Sequence, residues 1–540
     1  MGEDKGNNFI KGAAILTAAG LTAKVMGFVY RVILTRIIGT EGMGLYQMAY
    51  PIYTTLLVVS RSGIPVSLAK LISARIALGE RKTAFKIFRV GRYLSLGVGF
   101  FFSLLMAFLA KPLVNIFNWD PRAYYAVLAI SPAIFFVSIM ATYRGFFQGL
   151  QNMVPTAYSQ VIEQLVRMIT MVTLVYFLVP YGLGFAAAGA TFGAVTGSVA
   201  GLLTLLYVYY KRRKHIWNYV QISSIDTLDS WKIIKDIAAL GIPITFGALV
   251  QPLMTLVDTI IVPNRLQVAG FTVEKTTRLF GDLAAVAMTL VNFPTIITVS
   301  LAASLVPAIS EAFALKEDNL IKTRTETGLR LAILLGLPSS VGLYVLARPL
   351  SRVIFAAPDA AIPLRVVAWG VLFIALQQTS SAILQGIGKT GIPARNLLLG
   401  AITNAFINYT LTGLPSFGIR GAALGTVAGF AVAALLNLFS VKKYTHFDFK
   451  VKVLVIKPVL AVFLMGVVTK QGFLLLNKLF SYFTDYSYTL ATSVIVLMAI
   501  IAYGFALLLL KEIKYSDLVL IPKIGKKLAS KLKKLGLVRD

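Results

Sequence analysis

The sequence predicts an all-α polytopic membrane protein. It has about fourteen transmembrane helices, arranged as two pseudo-symmetric six-helix lobes with two further helices at the C-terminal end. Three observations predict this. Hydrophobic residues make up 57% of the 540 residues and charged ones only 14%, and the mean hydropathy is +0.78, outside the range of a soluble domain. Apolar runs of about 20 residues, the length that crosses a bilayer, recur from end to end. The chain also repeats itself: YGLGFAAAGA at 181–190 returns as FGIRGAALGT at 417–426, and AKPLVNIFN from Ala110 returns as ARPLSRVIF from Ala347. Looser echoes keep the same order, FFQGLQNMVP with ILQGIGKTGIP and SGIPVSLAK with SLVPAISEA.

Breaks at Gly, Pro and charged clusters delimit the elements in order. The predicted spans are 10–38, 42–74, 84–110, 122–149, 154–180, 183–211, 236–263, 281–313, 326–347, 360–388, 391–414, 417–442, 451–479 and 486–511. The opening MGEDKGNNFIKGAAILTAAG lacks a small-residue cleavage site and runs on as apolar chain, so it reads as the first span rather than a signal peptide. The duplication maps spans 1–6 onto 7–12, and an even number of helices per copy makes the repeats parallel, related by an axis along the membrane normal. The expected organisation is a first lobe at 1–211, a cytoplasmic linker at 212–235, a second lobe at 236–443, two extra helices at 444–511 and a basic tail at 512–540.

Basic residues fix the expected orientation. The connector after span 2 holds Arg75, Arg81, Lys82, Lys86, Arg89 and Arg92, and that after span 6 holds Lys211, Arg212, Arg213, Lys214, Lys232 and Lys235. Smaller clusters follow span 8 (Lys316, Lys322, Arg324, Arg330) and span 12 (Lys442, Lys443, Lys450, Lys452). The connectors after odd spans are poorer in Lys and Arg, which places both termini in the cytoplasm. The tail aligns Ile524, Leu528, Leu532 and Leu535 on one face among lysines, the pattern of an interfacial helix on anionic lipids; a disordered basic tail is the alternative. These loops and the tail account for most of the formal charge of +30, so nucleic acid is not required as a partner.

Several chemistries are excluded. The chain has no Cys, so disulfides, thiolate metal sites and Cys nucleophiles are excluded, and its two His, His215 and His446, fall in polar connectors, which argues against a histidine metal centre; a transporter with no cofactor, rather than an enzyme, is expected. GIGKTG at 386–391 imitates a phosphate loop, but Ile383 stands where the first glycine of that motif belongs and no strand precedes it; no ATP site is expected.

Polar residues inside the spans carry the functional signal, because a cation at mid-bilayer costs roughly 2.5–3.5 kcal/mol and should face protein or water. In span 1, Gly20, Lys24, Gly27 and Arg31 share a face; Arg61 lies in SRSGIP of span 2. Arg144, Gln148 and Gln151 align in span 4, and Gln160, Glu163, Gln164 and Arg167 in span 5. Glu163 and Arg167, one turn apart, either neutralise one another or face the substrate path. Arg31 either snorkels or joins them. Lys24, Arg61 and Arg144 have no acid within one helical turn. The second copy is mostly neutral: Gln251, Thr255 and Asp258, then Gln378, Ser381 and Gln385, then Asn404 and Asn408. Asp258 is a candidate for a coupling cation or for a structural partner of a cavity arginine. A cationic cavity suits an anion, above all a phosphate, which Arg grips with two parallel hydrogen bonds.

KGAAILTAAGLTAKVMGFVYRVILTRIIGTEGMGLYQMA, YRGFFQGLQNMVPTAYSQVIEQLVRM and LVPAISEAF resemble the stage V sporulation protein B and polysaccharide biosynthesis protein family. This belongs to the multidrug/oligosaccharidyl-lipid/polysaccharide exporters, which also hold the bacterial lipid II flippases. The resemblance implies two lobes forming a V, alternating access, a bacterial plasma-membrane location and movement of undecaprenyl-pyrophosphate-linked sugars. It also implies pyrophosphate handling by cavity cations on the first two helices, and a groove for the lipid tail on the last two. Lys24 takes the position of the first-helix cation; Arg31 and Arg61 fall off the flippases' arginine positions; Arg144, Glu163 and Arg167 match the sporulation-protein motif. The expected function is therefore a monomeric flippase for a lipid-linked oligosaccharide, with a peptidoglycan precursor first in line. A multidrug/cation antiporter on the same fold would call for an acidic cavity, and a non-transporting scaffold would not require polar stripes on four helices.

Overall fold

The computed structural model describes residues 2–61, 63–211, 228–447, 456–481, 486–510, 512 and 530, with side chains described at Gly12 and from Ile15 onward. No strand occurs among them. Arg212, Arg213, Lys214, His215, Lys450, Lys452 and the tail positions Ile524, Leu528, Leu532 and Leu535 lie outside the described residues.

The chain clusters into two compact units, Met1–Gly281 and Asp282–Asp540. The first opens with α1 (Gly2–Arg61) and α2 (Gly63–Ala77). Sixty residues of helix would extend about 90 Å, three times the hydrocarbon thickness, so one straight crossing is impossible. Gly39 resolves this: at φ 65° and ψ −177° it leaves helical geometry and separates two crossings, as the apolar pattern predicts. Next come α3 (Arg81–Ile116), the pair α4 (Ala123–Ile130) and α5 (Pro132–Gly149), α6 (Val154–Leu178), α7 (Leu183–Lys211), α8 (Ser230–Val268) and α9 (Val273–Gly281). Helices α8 and α9 pack with this unit, α8 against α1, α2 and α3 and α9 against α1.

The second unit begins with a π-helical turn, Asp282–Ala287, running into α10 (Met288–Ala314). It continues with α11 (Asp318–Val345), α12 (Ala347–Phe355), α13 (Ala361–Val367), α14 (Gly370–Gly386), α15 (Gly391–Leu411), α16 (Ile419–Thr445), α17 (Lys457–Ser481) and α18 (Ser487–Leu509). Eleven helical runs among the described residues are long and apolar enough to cross a membrane, or twelve with the α13–α14 region, bent by 46°, taken as one. The run that turns at Gly39 supplies two crossings and α15 one more, which brings the total to about fourteen.

Close helix contact in the first unit rests on small residues, as van der Waals packing in lipid requires. Gly189, Gly193, Gly197 and Gly201, every fourth residue of α7, lie against α6; a Cβ on Gly197 would meet the Glu163 carbonyl and the Arg167 side chain. This ridge of bare backbone sets the charged stretch of α6 in place. A second close approach is reciprocal: a Cβ on Gly44 would strike the carbonyl of Thr277, and one on Gly281 would strike the carbonyl of Thr40. Thr40 and Thr277 are 237 positions apart, as are Gly44 and Gly281, the spacing of the duplicated AKPLVNIFN/ARPLSRVIF segments. Pro51 and Pro294, which follow, are separated by 243. The spacing of the two copies thus differs on either side of the π segment.

In the second unit, Asn437 of α16 donates to Ser381 at 2.9 Å and accepts from Asn396 at 2.9 Å, and Gln377 donates to Ser381 at 3.1 Å. These amides satisfy one another in the interior. Helices α17 and α18 pack on α11 through Leu337, Val462, Met465 and Ala499. Their end is pinned by buried Arg330, which donates to the Glu512 carbonyl at 3.0 Å, and by Lys457, 3.6 Å from the Glu512 carboxylate.

Candidate functional site

Two of the expected cationic residues, Arg144 and Arg167, meet at Glu163 within the first unit. Arg144 of α5 donates through Nη2 to Glu163 Oε2 at 2.9 Å and to Ser159 Oγ at 2.9 Å, both on α6. Arg167, one turn beyond Glu163, donates to its other oxygen, Oε1, at 3.0 Å. Glu163 and Arg167 are each 7% exposed. The spacing that pairs Glu163 with Arg167 is legible in the sequence; the acid that serves Arg144 comes from the neighbouring helix, where periodicity along one helix cannot show it. Arg61, half-buried at the end of α1, acts electrostatically on both Arg144 and Glu163 and makes no hydrogen bond or ion pair among the described residues. The Nε atoms of Arg144 and Arg167 are buried without a hydrogen-bond partner in the described structure, as is Oε1 of Gln160.

A tyrosine stripe, not singled out by the sequence reading, flanks this cluster. Tyr46, Tyr50 and Tyr53 recur at helical spacing on α1, with ring centroids 5.4 and 5.7 Å apart in succession. Arg167 faces all three and Tyr30 electrostatically, and Tyr30 is hydrogen-bonded to Tyr46 and Arg31. Arg31 therefore joins the cluster through phenol groups. The signal that could have found them is the i, i+4, i+7 spacing of three amphipathic rings facing a charged helix.

Other expected residues stand differently. Lys24 is exposed on α1, Gln148 is half-buried on α5, and neither hydrogen-bonds another described side chain. Asp258 is half-buried on α8, within the same compact unit. In the second unit Gln378 accepts from Thr298 at 2.7 Å, and Asn404 and Asn408 are buried against α16. Lys389 of GIGKTG lies 5.3 Å from the Tyr444 ring, and its loop joins two helices rather than a strand and a helix.

Among the described residues, the guanidinium groups of Arg61, Arg144 and Arg167 thus act on the single Glu163 carboxylate between apolar helices, with Arg31 bonded to Tyr30 beside them. Charges in such a place are held by partners or by a ligand, and one carboxylate cannot neutralise three cations. The arrangement can hold an anion with planar, two-pronged hydrogen bonds.

A second charged cluster lies at the connector between α3 and α4. Arg122 donates to Glu41 at 2.7 Å and to Asp120 at 2.7 Å, and buried Asp120 also lies 3.3 Å from the Thr277 hydroxyl. Asn264 and Gln267 of α8 donate to the carbonyls of Phe117 and Asn118 at 2.7 and 2.8 Å. Burial pushes the Asp120 carboxyl up, but the Arg122 side chain, backbone N–H and charge hold it below the ordinary value.

The sequence profile of the family described as polysaccharide biosynthesis protein matches residues 9–313. The chain belongs to that family. Polysaccharide biosynthesis proteins of this kind are polytopic membrane proteins of the flippase/exporter superfamily, and a MatE profile matches residues 282–410 here. The chain is 33% identical to stage V sporulation protein B of Bacillus subtilis (strain 168), over 96% of this chain and 98% of that one. It is 26% identical to the lipid II flippase MurJ of the same organism, over 83% and 85%. Among solved structures it resembles the inward closed conformation of the lipid II flippase MurJ, with a TM-score of 0.68 and 16% identity, over 94% of this chain and 100% of that one. This last likeness speaks for the fold.

Proposed function

We propose that this polysaccharide biosynthesis protein is a flippase for an undecaprenyl-pyrophosphate-linked saccharide, the peptidoglycan precursor lipid II being the favoured cargo. The observation that carries the proposal is the surplus of guanidinium groups around Glu163, with Arg61 left for a ligand. A pyrophosphate supplies the missing negative charge and suits the planar donor fork of arginine. Arg61, Arg144, Arg167, Arg31, Lys24 and Gln148 are the proposed cargo-binding groups, and Asp258 is the proposed site of a coupling cation. The two six-helix repeats, 1–211 and 236–443, alternate access, and α17 and α18 offer the prenyl chain an apolar groove. Both termini lie on the cytoplasmic side, the protein acts as a monomer, and the tail rests on anionic lipid.

The test is complementation of a strain depleted of its lipid II flippase, with expression checked by blot. Arg61→Ala is expected to weaken cargo binding roughly ten- to a hundredfold, since a charge-assisted hydrogen bond is worth about 1.5–3 kcal/mol. Arg61→Lys restores only part, because an ammonium lacks the planar fork. Full complementation by the Lys24→Ala, Arg61→Ala double variant at normal expression would remove the clamp from consideration. The MatE match supports a second reading, a multidrug/cation antiporter. Loss of drug resistance in these variants with complementation intact would favour it.

A further inference from the structure

Within the cluster, the two carboxylate oxygens of Glu163 are divided between helices: Oε2 takes Arg144 of α5 and Oε1 takes Arg167 of α6. A carboxylate bridging two guanidinium groups has the charge and acceptor geometry that one phosphate group would present to them. Resting on the anionic-cargo reading above, we infer that Glu163 is a built-in stand-in for the cargo phosphate, occupying Arg144 when the site is empty and yielding it when cargo arrives.

The surrounding groups suit such an exchange. Arg61 and Arg144 are both half-buried, and Arg61 has no hydrogen-bond partner among the described residues, so an anion can engage it without displacing an internal one. When Glu163 lets go, the Ser159 hydroxyl still holds the Arg144 fork at 2.9 Å. Glu163 in turn keeps Arg167, one turn along its own helix, so neither charge is left alone. The Nε donors of Arg144 and Arg167, buried and without partners in the described structure, are available to a second anion.

The need for a stand-in follows from the transport cycle. A carrier for an anion must reset empty, and an uncompensated guanidinium in a low-dielectric interior is costly. An internal carboxylate neutralises Arg144 during that reset, so the loaded and empty passages bury similar charge. The same competition weakens cargo binding enough to permit release, making Glu163 a positioning residue for the cycle rather than a direct contact of the cargo.

The test uses the full-length protein in nanodiscs and farnesyl pyrophosphate as the probe, titrated calorimetrically. The Glu163→Gln variant removes the internal competitor and leaves Arg61, Arg144 and Arg167 in place. It is expected to bind the probe roughly ten- to a hundredfold tighter than the parent while complementing poorly, because release is slowed. Equal or weaker binding overturns the inference. Glu163→Asp, whose shorter reach cannot bridge both arginines, serves if Glu163→Gln does not fold; a severalfold gain in affinity is expected, and no gain overturns the inference. Arg61→Ala separates this outcome from the reading beneath it. If Arg61→Ala weakens the probe while the Glu163 variants gain nothing, the anionic site stands and the stand-in falls. If Arg61→Ala leaves the affinity unchanged, the anionic site itself fails.

Discussion

The two charged clusters of the first unit are built from the same groups in opposite proportion. At the α3–α4 connector a single guanidinium, Arg122, lies between two carboxylates, Glu41 and Asp120. Inside the helices a single carboxylate, Glu163, lies between two guanidiniums, with Arg61 adding a third cation to its field. Their surroundings decide what each surplus means. Arg122 and Glu41 are about a third exposed, so water screens the extra negative charge and the cluster can act as a clamp. Around Glu163 there is no such screening, and a surplus of cations persists only if something else completes it.

Breaking each cluster at its shared or buried member should separate the two environments. Glu163→Ala leaves two buried guanidinium groups unpaired and is expected to cost about 3–5 kcal/mol of stability, read as a large fall in the detergent-solubilised unfolding midpoint. Asp120→Ala removes hydrogen bonds to a partly exposed arginine, which can turn to water. The expected loss is about 1.5–3 kcal/mol, and a loss equal to that of Glu163→Ala would erase the distinction.

Acid sharpens the comparison further. The Asp120 carboxyl is held below its ordinary value of 3.8, so its contribution to stability is complete above that value and is lost as pH falls through the lower folded value. Unfolding midpoints of the parent and of Asp120→Asn should therefore converge as pH drops below about 4 and stay apart at neutral pH. The smallest effect belongs to Glu41→Gln, which removes a half-exposed pair and should cost only about 0.2–1 kcal/mol, less still in high salt.

Much of the fold is legible in the sequence because bilayer thickness imposes a length on every element. The turn at Gly39, the crossing at 183–211 and the six-helix duplication all stand out as breaks in an apolar pattern. Helix ends are less legible, since apolarity marks the membrane and helices continue past it: α3 extends to Ile116, α8 starts at Ser230 and α9 starts at Val273, each beyond its apolar run. The site divides in the same manner. Lys24, Arg31, Arg61 and Arg144 announce themselves as charges in the wrong solvent, and Glu163 with Arg167 as neighbours one turn apart. The link from Arg144 to Glu163, the tyrosines and the Arg122 clamp depend on contacts between helices, which a period along one helix does not encode.

The reciprocal contact of Thr40 and Gly44 with Thr277 and Gly281 bears on how the two copies meet. Equivalent positions of two copies, each meeting the other's partner, form the isologous pattern of a two-fold homodimer. Parallel orientation of the copies, which six helices per repeat ensures, permits such a dimer in a membrane. The seam thus has the form of a homodimer interface written within a single chain. Away from the seam the two copies differ: the first carries the arginines and Glu163, the second amides such as Asn396 and Asn437. At the seam itself a side chain is still barred on both sides, because either glycine would collide with the other copy's backbone.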